Sequence, residues 1–298
     1  MANNVCIVGS NSFLAQYVAQ GFKEYDSLIT GLAKSNKSDH IDLFTPFSCP
    51  DQPISLNYLL DFNVIIYAAG AGIQSNIKDP VSSIYYLNAY LPIDIALFLE
   101  SNQWEGKFIT FGSYFEIGFN KNNHFFTEEQ VVNASNQVPN DYCASKRLLS
   151  RFYSSKLMNI NYHHLILPNI YGVGENDNRL IPYLVNSISN NLPVKLTSGE
   201  QIRQYIHAKD VATIVCYIAL NKVEKGILNI TQKTPIQVKN LALLIYRLLG
   251  IEPKNDIFGQ SQRSDASMDS LLLSSEKFEM QINIQHEISL ENGILSYL

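Results

Sequence analysis

The chain has 298 residues, enough for one large domain or two small ones. Hydrophobic residues make up 46% and charged residues 16%, a composition that supplies a sizeable core and excludes extended disorder. The 22 basic and 27 acidic residues leave a net charge of −5 with no block of like charges, which sets nucleic-acid binding aside.

In chain order, Val5-Cys-Ile-Val8 reads as a short strand ending in Gly9, and residues 12–22 as a helix. Leu28-Ile-Thr30 and Val64-Ile-Ile-Tyr67 follow as strands. Residues 81–101 read as a helix kinked at Pro92. Residues 107–111 form a strand, 142–157 a helix and 162–167 a strand. Helices at 180–190, 208–220 and 236–249 and a strand at 226–231 complete the pattern. Apolar runs without alternation fit strands buried on both faces. Their alternation with helices predicts an α/β fold with a doubly wound parallel sheet.

Cys6, Cys49, Cys143 and Cys216 form no C-x-x-C pair. The spacing predicts no metal site and no disulfide framework, in a reduced, cytoplasmic chain. No basic segment precedes the first apolar run and no apolar stretch reaches 18 residues, so neither a signal peptide nor a membrane span is expected.

The turn after the first strand is Gly9-Ser-Asn-Ser12-Phe-Leu-Ala15. A dinucleotide loop needs small residues at this spacing, for the turn, the approach to the pyrophosphate and the helix–strand contact. Gly9, Ser12 and Ala15 are all small, and the next helix aims its N-terminal N–H groups at the phosphates. An ordinary strand–turn–helix satisfies the same pattern. After the second strand the chain reads Gly31-Leu-Ala-Lys-Ser-Asn-Lys37, without the acidic residue that holds a ribose 2′-hydroxyl. Lys34 and Ser35 suit a 2′-phosphate instead, and a solvated loop is the alternative.

Asp141-Tyr-Cys-Ala-Ser-Lys146 sets Tyr142 and Lys146 four residues apart on one helix face. An ammonium beside a phenol lowers its pKa and suits it to proton transfer near neutral pH. Ser113 ends the strand before that helix.

With these landmarks the chain resembles the extended short-chain dehydrogenase/reductases of the NAD-dependent epimerase/dehydratase family along essentially its whole length. The further landmarks are Asp42-Leu43, Ala68-Ala69, Asn88, Pro168-Asn-Ile-Tyr-Gly172, Arg203-Gln-Tyr-Ile-His207-Ala-Lys-Asp210 and Arg263. The resemblance implies a Rossmann domain over residues 1–167 and 204–232, and a smaller substrate lobe over 168–203 and 233–298. It implies catalysis by Ser113, Tyr142 and Lys146. It places Gly9, Ser12, Phe13, Leu14, Lys34, Ser35, Asp42, Leu43, Ala68, Ala69, Pro168 and Ile170 around the cofactor, Asp42-Leu43 beside its adenine. Tyr114, Asn169, Arg179, Arg203 and Arg263 would meet a nucleotide-diphosphate sugar, the last two at its diphosphate. Asn88 is expected to tie a helix to neighbouring backbone, and His207 to be structural. A homodimer through helices 85–101 and 142–157 is also implied.

The dehydratases of the family carry Thr-Asp-Glu where this chain has Ser113-Tyr-Phe115. The 3,5-epimerase/4-reductases of the GDP-fucose type carry a cysteine and a histidine where it has Phe115 and Arg179. Arginine is no base at neutral pH. Plain hydride transfer is what remains. The segments 29–34 and 192–199 resemble bacterial O-antigen 4-ketoreductases such as CDP-abequose and CDP-paratose synthases and dTDP-6-deoxyhexose reductases. The expected reaction is therefore NADPH-dependent reduction of a 4-keto-6-deoxy nucleotide sugar. A 4-epimerase with bound NAD, and a non-catalytic cofactor-binding protein, are the alternatives.

Overall fold

The computed structural model describes residues 3–49, 51–73, 77–121, 123–253, 257–261, 268–284 and 287–298. Its centre is a seven-stranded, all-parallel sheet. The strands are β1 (Asn4–Val8), β2 (Leu28–Ala33), β3 (Leu43–Pro46), β4 (Val64–Tyr67), β5 (Lys107–Ser113), β6 (Asn161–Leu167) and β10 (Gly226–Asn229). Their order is β10-β6-β5-β4-β1-β2-β3. The interior strands are buried on both faces, which is why their sequences run apolar without alternation.

Helices cover both faces. α1 (Phe13–Lys23) and α7 (Ala208–Leu220) pack on one side with Val5, Ile7, Ile109 and Leu165. On the other, α3 (Leu91–Ser101) and α5 (Asp141–Ser155) cover Cys6, Ile65, Tyr67 and Phe108. The doubly wound fold is as expected. β3 carries too few apolar residues in Leu-Phe-Thr-Pro to stand out in the sequence.

The long helix expected over 81–101 is segmented into α2 (Val81–Tyr85), a π-helical turn over Tyr86–Tyr90, and α3. Pro92 sits in the first turn of α3, directly after the π turn, where the missing N–H interrupts the ladder of a continuous helix. The distortion lies in the π turn, which buries Asn88 completely. The Asn88 amide accepts from the Ala71 N–H at 3.0 Å and donates to the Ala71 carbonyl at 2.9 Å and Ser145 Oγ at 3.0 Å. It therefore ties the helix to the loop after β4, as expected.

Beyond the sheet lie α4 (Glu128–Val132), β7 (Asn169–Tyr171), α6 (Leu180–Ser189), β8 (Ile202–Arg203) and β9 (Tyr205–His207). They are followed by β11 (Ile236–Gln237), α8 (Val238–Leu248), β12 (Ser270–Leu271), α9 (Glu276–Gln281) and α10 (Leu290–Leu295). Strands β11, β8 and β12 form a small second sheet, and β7 pairs with β9. A separate apolar cluster joins α6, α8 and α10 through Leu184, Leu241, Ile245 and Ile294. His207 caps α7, its Nδ1 accepting the Lys209 N–H at 3.2 Å, which fits the structural role expected of it. Among the described residues no helix is long and apolar enough to cross a membrane.

Candidate active site

The strand order reverses between β1 and β4, and a cleft opens there beyond the carboxyl ends of the strands. Its volume is about 1030 Å³. Gly9 forms its base with φ +84°, and a Cβ there would come within 2.8 Å of the Ala68 carbonyl carbon and closer still to Ala69. Only glycine fits where two chain segments cross this closely. Ser12 caps α1, accepting the Ala15 N–H at 3.4 Å, and the wholly buried Ala15 packs the helix on the sheet. The helix start faces the cleft with no acidic side chain in its first turn. The loop thus keeps the one indispensable glycine and replaces the others by a cap and a small packing residue.

Gly9, Ser12, Phe13, Leu14, Lys34, Ala68, Ala69, Pro168 and Ile170 all line this cleft. So do Ser113, Tyr142, Lys146, Asn169, Arg179 and Arg203. Lys34 is exposed just after β2, and the Asn11 amide donates to the Ser35 carbonyl at 2.8 Å, joining the two loops. The Ser35 side chain is exposed and does not line the cleft.

Besides Ser35, three residues are placed otherwise than expected. Asp42 and Leu43 lie at the start of β3, beside Ile29, at the end of the strand away from the cleft. Asp42 pairs there with Lys23 and accepts the Ile29 N–H at 2.8 Å. The cleft is reached instead by Phe47, Ser48 and Cys49, after β3. β3 is too short to be legible in the sequence, and its direction decides which end meets a cofactor. Tyr114, expected at the substrate, is completely buried with Ile117, Val131 and Leu271, and its neighbour Phe115 lines the cleft. Arg263 lies outside the described residues.

Ser113 ends β5 and caps the 3₁₀ turn Tyr114–Ile117. Its hydroxyl oxygen accepts the Phe115 N–H at 3.3 Å and stands near enough to the Tyr142 phenol to draw its pKa down. Burial pushes the Tyr142 pKa up, while the Ser113 hydroxyl and the Arg179 guanidinium pull the other way. The Lys146 ammonium donates to the Phe111 carbonyl at 2.8 Å. Burial brings its pKa down to about 8, opposed by the charge of Glu116.

Arg179 reaches the Glu175 carboxylate at 2.8 Å and the Ile170 carbonyl at 3.3 Å. Glu175 also accepts from the Tyr297 hydroxyl, and that hydroxyl accepts the Gly172 N–H at 2.6 Å. Tyr17 donates to the Val173 carbonyl at 2.9 Å. The loop bearing Arg179 is therefore held from α1 and from the segment after α10. Neither Tyr17 nor Glu175 was marked by sequence spacing, because their partners are remote in the chain. Arg203, nearly buried, donates to the Ile202 and Asp269 carbonyls at 2.9 and 3.4 Å.

A family profile for the NAD dependent epimerase/dehydratase family matches residues 5–231. The chain belongs to this family. Among curated relatives, the CDP-abequose synthase of Salmonella muenchen is 25% identical over 162 residues, 53% of this chain and 55% of that one. The chain spans between a quarter and about half the length of the curated relatives it matches. Among solved structures, UDP-glucose 4-epimerase of Thermotoga maritima with UDP-glucose superposes with a TM-score of 0.82 at 16% identity, covering 98% of this chain and 96% of the other. The Bordetella bronchiseptica enzyme WbmG in complex with NAD and UDP gives 0.78 at 12% identity, over 99% and 94%. At these identities the superpositions establish the family's extended short-chain dehydrogenase/reductase fold in this chain.

Proposed function

We propose that the protein reduces the C4 ketone of a nucleotide-linked 4-keto-6-deoxy sugar with NADPH. The observation that carries this reading is the composition of the cleft around Tyr142. Ser113, Tyr142 and Lys146 converge there, and the one carboxylate among its described lining residues, Glu175, is held by Arg179 and Tyr297. Elimination of water and epimerisation beside the ketone both need a further acid or base. Hydride transfer needs only a proton donor and a hydrogen bond to the ketone.

The cradle at Gly9, the α1 start and exposed Lys34 suit a dinucleotide, and the lack of a carboxylate after β2 suits a 2′-phosphate. When bound, NADPH supplies the hydride. The Ser113 hydroxyl bonds the ketone oxygen, and Tyr142 gives its phenolic proton to that oxygen as it becomes an alkoxide. Lys146 holds the nicotinamide ribose and offers a positive charge to the phenolate left behind. Asn169, Arg179 and Arg203 hold the nucleotide-diphosphate end, with Arg263 a further candidate. The lobe built of residues 168–203 and 233–298 is the substrate half, and 1–167 with 204–232 the cofactor half. Two copies pair through helices 85–101 and 142–157, where Tyr90 and Leu148 are exposed. The product is a deoxysugar nucleotide made in the cytoplasm for a bacterial surface polysaccharide.

Fluorescence titration with NADPH and NADH tests the cofactor. Tighter NADPH binding is expected. Lys34→Glu should weaken NADPH about tenfold and leave NADH nearly unchanged, as loss of one charge-assisted phosphate contact does. NADH preference, or NAD carried through purification, would replace this reading by the 4-epimerase.

A further inference from the structure

Glu116 lies just behind the active site and is completely buried, yet it does not line the cleft. Its Oε1 accepts the Ser113 N–H at 2.7 Å, closing a capping box on the turn Tyr114–Ile117. A cap alone does not call for a buried charge. The same molecule caps α4 with a second box, in which Gln130 accepts the Thr127 N–H at 3.0 Å, near the surface, through a neutral amide.

The surroundings of Glu116 explain the carboxylate. From α5, Lys146 and Arg147 both act on it with positive charge, and Ser150 draws its pKa down with them. Arg147 Nε also donates to the Glu116 carbonyl at 2.8 Å. Tyr142, on the same helix, feels its charge. From β6, His164 shares hydrogen bonds of 2.8 Å with Ser150 and with Thr110, and burial and Lys146 hold it neutral, down to about 3. α4 and β12 bring the apolar Val131, Val132 and Leu271. Gly112 makes the gap: a Cβ there would stand 2.9 Å from Glu116 Oε1 and 2.7 Å from His164 Nε2.

We propose that Glu116 is a positioning residue for the Ser113, Tyr142 and Lys146 set, fixing the Ser113 backbone and balancing the Lys146 ammonium with its own charge. This rests on the hydride-transfer reading for its purpose, but the coupling of Glu116 to Lys146 stands apart from any substrate. Burial pushes the Glu116 carboxyl up to about 7, against the pull of Ser150, the Ser113 N–H, Lys146 and Arg147. Glu116 at about 7 and Lys146 at about 8 thus both titrate close to neutral pH, the carboxyl first. Ionised Glu116 favours the ammonium of Lys146 and disfavours the phenolate of Tyr142.

The test is the pH dependence of Lys146 acylation by acetic anhydride, read by peptide mass spectrometry in wild type, Glu116→Gln and Glu116→Asp. Gln keeps an acceptor for the Ser113 N–H and removes the charge. The Lys146 midpoint should fall by about one pH unit or more in Glu116→Gln and return toward wild type in Glu116→Asp. An unchanged midpoint in folded Glu116→Gln overturns the proposal and leaves Glu116 a cap. Should that variant not fold, carboxyl-carbon NMR of Glu116, assigned with Glu116→Asp, is compared between wild type and Lys146→Met. A Glu116 midpoint that rises when the ammonium is removed supports the coupling, and an unchanged midpoint overturns it. If no 4-keto sugar is reduced while the Lys146 midpoint moves, the reaction is wrong and the coupling stands.

Discussion

Adjacent residues of β6 point to opposite faces of the central sheet, and the two faces are built differently. His163 faces α7 among Ile109, Leu165 and Leu228, and neither of its ring nitrogens has a hydrogen-bond partner among the described residues. His164 faces α5, where both nitrogens are bonded, to Thr110 and Ser150. On the same face Glu116, whose pKa Ser150 draws down, accepts the Ser113 N–H. The α7 face is apolar packing with one unsatisfied ring in it. The α5 face is a polar scaffold that reaches the reacting groups. In a doubly wound sheet one face can be given over to holding the fold while the other also orients chemistry.

A pair of crossed substitutions would break this division if it is wrong. Tyr142→Phe, on the α5 face, should lower kcat by about 10²–10⁴-fold, the range for loss of a general acid, with little change in NADPH affinity or melting temperature. Equal loss of turnover and of NADPH binding would remove Tyr142 from the proton-donor role. Ile214→Ala, in α7 at 0% exposure, should do the reverse. A cavity there should cost about 2–5 kcal/mol in urea unfolding while the folded fraction keeps its kcat. A kcat loss in the folded fraction comparable to that of Tyr142→Phe would mean the α7 face also orients the site.

Reading the sequence reached the α5 face more fully than its depth. Ser113, Tyr142 and Lys146 stood out because strand end and helix face are local patterns, and they meet in one cleft. Gly9 was legible for the same reason. Glu116 was not, since a glutamate three residues after a serine reads as an ordinary cap. Its meaning comes from Lys146, Ser150 and His164, brought in by α5 and β6. The place of Asp42 is not legible because β3 is only four residues long, and its direction decides which end faces the cleft. The Glu175–Tyr297 contact joins residues 122 positions apart, which no local spacing marks.

The smallest effect sharpens the comparison through pH. Burial, reinforced by Lys107, pushes the His163 pKa down to about 4, from an ordinary value near 6.5. A histidine lowered on folding stays neutral in the native chain while the unfolded chain takes up a proton. Its stabilising contribution is complete above pH 6.5, is lost as the pH falls toward 4, and changes no further below that. At pH 5 the loss from this group is about 2 kcal/mol. His163→Leu should therefore match wild type within about 1 kcal/mol at pH 7.5 and exceed it by about 2 kcal/mol at pH 5, in urea unfolding at each pH. His164→Leu removes a lowered histidine as well, but it leaves the hydroxyls of Thr110 and Ser150 without the ring. It should be less stable than wild type at pH 7.5, where protonation plays no part. If the two leucine variants behave alike at both pH values, the contrast between an unsatisfied and a doubly bonded ring has no energetic content, and the two faces differ in chemistry alone.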